Sequence, residues 1–281
     1  MKRLIIVAGP TAIGKTAYAI RLAQLLDTEI VSCDSRQFYR ELRIGVARPD
    51  EDELKAAKHH FIACRSVEQP YNVYEYEHDA LKVIAQLHEQ HDTVIAVGGS
   101  GLYIDAIVNG FIPMPDPTPE LRHQLQETPL EEKQKMLQEA DPDYFDTVDK
   151  NNPARLQRAL EVCLTMGKPY SQVIAEHSPQ PRQFATEYHI LQTTDANLKE
   201  RINRRVDAMI TNGLEEEVKG LYALRHLNTL RTVGYRELFP VIEGTATLTS
   251  AIEQIKLDTW HYARKQKTWI KKYPGTIISQ S

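Results

Sequence analysis

The chain has 281 residues, 42% of them apolar and 26% charged, enough for one large domain or a domain with a sizeable insertion. No apolar run approaches the roughly 20 residues of a membrane span, and the start carries no signal-peptide pattern. A net charge of −4 excludes a global attraction to nucleic acid, and three widely spaced cysteines exclude a zinc motif and suit a reducing, cytoplasmic setting.

Leu4–Ala8 is apolar and β-branched, as a buried parallel strand should be. Ala17–Leu26 has the period of a helix, with Ala19, Leu22, Ala23 and Leu26 on one face. Between them Gly9-Pro10-Thr11-Ala12-Ile13-Gly14-Lys15-Thr16 matches G-x-x-x-x-G-K-[ST] in full. Gly9 and Gly14 let the backbone turn its N–H groups inward, and the helix N-terminus adds partial positive charge. Lys15 supplies a full charge, and the Thr16 hydroxyl is the candidate ligand for Mg²⁺. This segment binds phosphates; by itself it does not say what is done with them.

Glu29–Ser32 reads as a second strand, running into Cys33-Asp34-Ser35-Arg36-Gln37-Phe38-Tyr39, a polar cluster where α/β sheets place chemistry. Asp34 is either a helix N-cap, a functional acid, or both. A turn at Gly45–Pro49 leads to a short charged helix at Asp50–Lys58. His59-His60 has no third ligand at suitable spacing and is expected in a loop or packing role. Tyr71–Gln90 reads as a helix and Thr93–Val97 as a buried strand ending in Gly98-Gly99-Ser100-Gly101-Leu102-Tyr103. A phosphate-loop ATPase commonly ends this strand in an acid that helps hold Mg²⁺; here two glycines stand instead. Ser100 is expected to cap the following helix and to face the phosphate site.

Pro113, Pro115, Pro117 and Pro119 suggest a stiff linker. Beyond it lie a helical stretch to about Glu139 and, after Asn152-Pro153, a helix carrying Ala154, Arg155, Leu156, Gln157 and Arg158 that stops at Gly167-Lys-Pro169. Residues 113–187 are read as a helical insertion, with 1–112 and 188–281 forming the core. The core resumes with a strand at Tyr188–Gln192 and a helix capped by Asp195 that projects Arg201, Arg204 and Arg205. Further helices are expected at Leu214–Arg225 and Thr249–Trp269, the last with Ile252, Ile255, Thr259, Tyr262 and Ala263 inward. Arg264, Lys265, Lys267, Lys271 and Lys272 make its end a basic patch for a local polyanion, or a solvated face. The fold class is therefore α/β: a P-loop NTPase-like parallel sheet flanked by helices, with a helical insertion domain.

The ordered set Gly-Pro-Thr-Ala-x-Gly-Lys-Thr, Asp-Ser-Arg-Gln-x-Tyr-Arg, Ile-Gly-x-Ala-x-Pro, His-His, Gly-Gly-Ser-Gly-Leu-Tyr, Arg-Ala-Leu-Glu-Val, Thr-Val-Gly-Tyr-Arg-Glu and Arg-Lys-Gln-x-Thr-Trp resembles the tRNA dimethylallyltransferases, also called tRNA isopentenyltransferases, over nearly the whole chain. Cys33 stands where that family often has Ala, Ser100 where Thr is usual, and Ile270 where an aromatic is common. The resemblance implies transfer of a dimethylallyl group from dimethylallyl diphosphate to N6 of adenine 37 beside the tRNA anticodon. Lys15, the loop amides, Mg²⁺ on Thr16 and Arg231 are suited to the leaving diphosphate. Asp34 is the candidate proton acceptor for the adenine amine, and Ser100 a candidate to hold the leaving group. The adenine must leave its stack to react. The resemblance assigns Asp34, Ser35, Arg36 and Gln37 to the channel that receives it. Ser100, Arg122, the segment Ala154–Arg158 and Arg231-Thr232-Val233-Gly234-Tyr235-Arg236 are its further RNA-contact residues, unless the arginines form surface salt bridges. The insertion would clasp the anticodon stem-loop while the basic C-terminal helix meets phosphates. A monomer is expected. Rival readings are a small-molecule kinase using ATP in the same loop, disfavoured by the Gly98-Gly99 strand end, an enzyme prenylating free adenine nucleotides, and a non-catalytic RNA-binding module.

Overall fold

A computed structural model describes residues 1–69, 71–112, 114–176 and 181–280. The elements in chain order are β1 (Arg3–Ala8), α1 (Lys15–Leu26), β2 (Ile30–Ser32), α2 (Glu51–Ala56), β3 (His59–His60), α3 (Val73–Gln90), β4 (Thr93–Gly98) and α4 (Gly101–Asn109). There follow α5 (Pro119–Glu127), α6 (Leu130–Ala140), α7 (Pro142–Thr147), α8 (Pro153–Met166) and α9 (Tyr170–Ala175). The last are β5 (Ala185–Gln192), α10 (Asp195–Thr211), α11 (Leu214–Leu221), α12 (Phe239–Ile242), α13 (Leu248–Ile270) and β6 (Thr276–Ser279).

The six strands form one parallel sheet in the order β3-β2-β4-β1-β5-β6. Successive residues of β1 point to opposite faces, and both faces are covered. Ile5 and Val7 pack with Ala19 and Ala23 of α1, Leu198 and Ile202 of α10, Leu214 and Val218 of α11, and Ile255 and Ala263 of α13. Leu4, Ile6 and Ala8 pack with Tyr76, Ala80 and Ile84 of α3 and Ile104 and Ile107 of α4. Among the described residues, no helix is long and apolar enough to cross a membrane.

Several boundaries differ from the sequence reading for local reasons. His59-His60 is an edge strand, paired with Ile30 and Val31, and His60 Nε2 lies 2.6 Å from Glu29. β6 was unforeseen because its four mostly exposed residues have no period to read. Thr194 rather than Asp195 caps α10, its side chain accepting from Asn197 N. No helix follows Asp34; its Oδ1 accepts from Arg36 N at 3.0 Å, closing a turn. The helix expected to continue to Glu139 breaks at Pro129 into α5 and α6.

The chain divides into two compact units, Met1–Asn109 with Arg182–Ser281, and Gly110–Pro181. Residues 182–187, expected in the insertion, belong to the core unit: β5 begins at Ala185, and the Arg182 guanidinium bonds Glu77 at 2.6 Å and the Ala106 carbonyl at 2.7 Å. Pro113 of the expected linker lies outside the described residues. The second unit has its own core of Leu125, Leu137, Val148, Leu156, Ala159, Leu160 and Cys163. Its α8 is bounded as expected: Asn152 accepts from Arg155 N, Pro153 takes the first position, and Gly167 ends the helix at φ 64°. Asp141, 1% exposed, pins this unit, accepting from Tyr144 N at 3.0 Å, Ser171 N at 2.6 Å and Ser171 Oγ at 2.8 Å.

Replacing Asp141 with Ala strands three donors, two of them backbone amides at the starts of α7 and α9, so the insertion should lose about 3 kcal/mol. Urea unfolding of the full chain, with amide exchange followed over residues 141–176, measures this; protection unchanged from wild type there would show that Asp141 does not hold the unit together.

Candidate active site

The site is built at the C-terminal ends of β1, β2 and β4, which the strand order sets side by side. Gly14, at φ 95°, starts α1 without any side-chain cap, and the first turn of that helix holds no acidic residue. By contrast α3, α8 and α10 are closed by Asn72, Asn152 and Thr194. The first amides of α1 are thus left for an external anion. Lys15 Nζ donates to the Pro10 carbonyl at 2.8 Å, holding the loop closed across itself. Burial and the neighbouring Arg205 push the Lys15 amine down to about 7, against the pull of Asp34.

A cavity of about 650 Å³ opens over this loop. It is lined by Thr11, Ala12, Gly14, Lys15 and Thr16 of the loop, by Asp34 and Gln37, and by four arginines, Arg48, Arg201, Arg204 and Arg205. A second cavity of about 320 Å³ adjoins it, sharing Thr11, Asp34 and Arg205. Its wall mixes apolar Val46, Val206, Met209, Val233 and Ile255 with Ser35, Arg36, Arg231, Thr232, Gly234, Arg236, Thr259 and Tyr262. Asp34 therefore stands at the junction of a cationic chamber and a half-apolar one. Arg205 stands beside it, donating to Thr11 Oγ1 at 3.1 Å, and its own burial disfavours its charge.

The acidic loop is braced from several sides. Ser100 Oγ accepts from Ser35 N at 3.2 Å and donates to Ser35 Oγ at 3.3 Å, so the hydroxyl holds this loop rather than capping α4, whose first amides bond the Ser100 carbonyl. Gln37 Nε2 donates to the carbonyls of Val46 and Ala47, and Arg36 to that of Thr229. Cys33 is buried and its thiol is pushed up to about 12, so it is inert packing beside Tyr76. Gly98 is obligatory, since a Cβ there would sit 2.6 Å from the Cys33 carbonyl oxygen.

The remaining expected residues divide. Gly9, Pro10 and Ile13 shape the loop from behind, Ile13 with its side chain fully buried. Arg231 lines the second cavity, which adjoins the phosphate cavity where the four arginines above stand. Tyr235 is fully buried, and its hydroxyl donates to Glu217 Oε1 at 2.5 Å, so it supports the segment from beneath and cannot touch RNA. The same Glu217 accepts from Ile44 N and Gly45 N, fastening both walls of the second cavity. Arg236 is paired with Glu237 and Asp258. In the insertion, Leu156 is fully buried in the core, which removes it as an RNA contact. Ala154 and Arg155 are exposed, while Arg122, Gln157 and Arg158 gather on the buried carboxylate of Glu161 at 3.9, 3.0 and 3.3 Å.

Sequence reasoning marked Arg201, Arg204 and Arg205 as a basic cluster without placing them at the site. Arg48, Thr259 and Tyr262 were missed as lining residues; the only available signal was that Tyr262 shares a helix face with Ile255 and Thr259. Among the described residues no group of three His, Cys, Asp or Glu side chains is placed to hold a metal. The Thr16 hydroxyl lines the phosphate cavity, an oxygen donor of the kind that holds Mg²⁺ beside substrate phosphates in phosphate loops.

The family model described as IPP transferase matches residues 37–273. The chain belongs to the IPP transferase family. Among curated relatives, the tRNA dimethylallyltransferase of Christiangramia forsetii is 45% identical over 275 residues, covering 96% of this chain and 91% of that protein. That of Flavobacterium johnsoniae is 44% identical, covering 98% and 92%. The crystal structure of a full-length tRNA isopentenylpyrophosphate transferase from Bacillus halodurans superposes with a TM-score of 0.73 at 30% identity, covering 99% of this chain and 90% of that one. A eukaryotic dimethylallyltransferase acting on tRNA gives 0.85 at 25% identity, covering 99% and 74%.

Two outcomes are expected. With its amine pushed down to about 7, against about 10.4 for an ordinary lysine, Lys15 should carry more of the neutral amine at pH 7.5 than surface lysines do. Brief treatment with an amine-reactive ester, read by peptide mass spectrometry, should label Lys15 ahead of surface lysines and be blocked by pyrophosphate. Labelling in proportion to exposure would contradict the low proton affinity. Separately, Glu217→Ala leaves the Tyr235 hydroxyl and two amides without their acceptor. It should cost about 3 kcal/mol in thermal unfolding, and a loss below about 0.5 kcal/mol would show the clamp to be dispensable.

Proposed function

We propose that this chain transfers the dimethylallyl group of dimethylallyl diphosphate to N6 of adenine 37, next to the anticodon of tRNA, leaving N6-isopentenyladenosine and diphosphate. The observation that carries the reading is the position of Asp34, which borders both the cationic phosphate cavity and the half-apolar cavity beside it. A carboxylate at that junction meets the acceptor where the donor's carbon is presented.

The donor's diphosphate lies on the open amides of α1, with Lys15 and Arg205 close by. The N6 lone pair forms a bond to C1 of the dimethylallyl group as the C1–O bond breaks, and the bonding electrons leave with the diphosphate. Negative charge grows on the departing oxygens, so preorganised donors there favour the transition state over the ground state. The N6 proton passes to Asp34, whose orientation is held by its bond to Arg36 N. Mg²⁺ held by the Thr16 hydroxyl and the diphosphate oxygens would supply further positive charge to the leaving group. The apolar lining of Val206, Met209 and Ile255 suits the prenyl tail and shields the reacting carbon from water. Serine and arginine side chains on the same wall are suited to a base drawn out of its stack.

The anticodon stem is assigned to the insertion, with Arg155 exposed at the start of α8 and Arg122, Gln157 and Arg158 ordered around Glu161. On the core, Arg231 and the exposed Arg264, Lys265 and Lys271 are assigned to phosphates. The setting is cytoplasmic, a reading supported by three cysteines present as free thiols.

The test is Asp34→Asn, which keeps an oxygen for the bond to Arg36 N but cannot accept the proton. Single-turnover transfer to an anticodon stem-loop, read by nucleoside mass spectrometry, should fall about 10²- to 10⁴-fold, with stem-loop affinity unchanged. Transfer at the wild-type rate would sink the assignment of Asp34.

A further inference from the structure

The mechanism leaves unused a buried polar side chain that borders the phosphate loop. Gln266 projects from α13 and is 5% exposed. Its Oε1 accepts from Thr11 N at 2.7 Å, and its Nε2 donates to the Gly99 carbonyl at 2.8 Å. Thr11 belongs to the phosphate loop that follows β1, and Gly99 to the segment that follows β4, the strand paired with β1. One carboxamide thus joins two walls of the cleft, and its two hydrogen bonds run in the only sense an amide permits.

The room for it is made by a missing side chain. A Cβ on Gly99 would lie 2.2 Å from Gln266 Nε2. The strand end where a phosphate-loop ATPase commonly carries a metal-holding acid is here given over to an amide arriving from α13. That amide consumes the Thr11 N–H, so this loop amide is turned toward Gln266 and away from any phosphate. The Thr11 hydroxyl faces the other way and accepts from Arg205 Nη1. Thr11 is therefore held from both sides, and the loop's curvature and the placement of Arg205 are set together.

From this we infer that Gln266 is a positioning residue for the diphosphate site: it touches no reacting atom, and it holds the phosphate loop in the shape that binds the donor. The inference rests on the reading of that loop as the donor's seat. It also makes α13 a shared support. Tyr262, one turn earlier, lines the second cavity, so a single helix sets the loop that grips the leaving group and part of the chamber beside it.

The experiment uses the full chain and two variants, Gln266→Leu and Gln266→Glu. Leu keeps the volume and loses both bonds. Glu keeps the acceptor for Thr11 N, but its second oxygen faces the Gly99 carbonyl until it takes a proton. Pyrophosphate affinity by calorimetry, KM for dimethylallyl diphosphate, stem-loop affinity and thermal midpoint are measured for each. Gln266→Leu should weaken pyrophosphate binding and raise the donor KM about ten-fold or more, the scale of a lost pair of buried bonds, with stem-loop affinity within about two-fold of wild type. Gln266→Glu should be impaired to the same degree as Gln266→Leu at pH 8, because its carboxylate sets an acceptor against the Gly99 carbonyl where the amide donates. Unchanged pyrophosphate affinity and donor KM in Gln266→Leu, with only the thermal midpoint lowered, would make Gln266 mere packing and overturn the inference. No pyrophosphate binding by the wild-type chain would instead overturn the reading of the loop on which it rests.

Discussion

The chemistry of this protein depends on the start of α1, which no side chain caps. Helices α2, α3, α5, α7, α8, α10 and α13 all begin under a side chain that accepts from an early amide. Helix α11 also begins at an uncapped glycine, but it carries three glutamates in its first turn. Helix α1 has neither cap nor acid, and Lys15 and Arg205 crowd the same space. Burial disfavours both charges, and the nearby Arg205 further disfavours that of Lys15. A site that opposes its own cations in this way is relieved by a polyanion, and a leaving diphosphate gains charge as relief is needed.

The parallel sheet turns that field into a reaction site. Because β1 lies next to β4 and β4 next to β2, the phosphate loop, the Gly98-Gly99 turn and the acid loop at Asp34 emerge together. Crowding at this edge explains the glycines better than flexibility does. A side chain at Gly98 would strike the Cys33 carbonyl, and Gly45 is pressed against the ring of Tyr235. The hydrogen bond from buried Tyr235 to half-buried Glu217 then fixes the second wall from behind. Residues that look functional by motif, such as Tyr235, are here the scaffold of the cavity.

The insertion repeats this logic on a smaller scale. Its own apolar core takes Leu156 and Cys163. Arg122 of α5 and Arg158 of α8 are organised around Glu161, a carboxylate 6% exposed. A buried acid receiving two arginines and an amide orders their forks at a modest net gain in stability. What it contributes is direction: the carboxylate fixes where the two guanidinium groups point.

Local information was enough for whatever depends on neighbours in sequence. The phosphate loop is set by Gly9, Gly14, Lys15 and Thr16, the start of α8 by Asn152-Pro153, and the buried strands by their unbroken apolar runs, and each of these was legible along the chain. Tertiary structure alone decided the relations across long separations. It placed Arg205 on Thr11, set Gln266 between Thr11 and Gly99, buried Tyr235 and Leu156, set Arg231 in the wall of the second chamber, and made edge strands of His59-His60 and Thr276–Ser279. The physical reason is that hydrogen-bond partners, burial and charge coupling act between residues up to 255 positions apart, where no periodicity or spacing rule records which side chain will arrive.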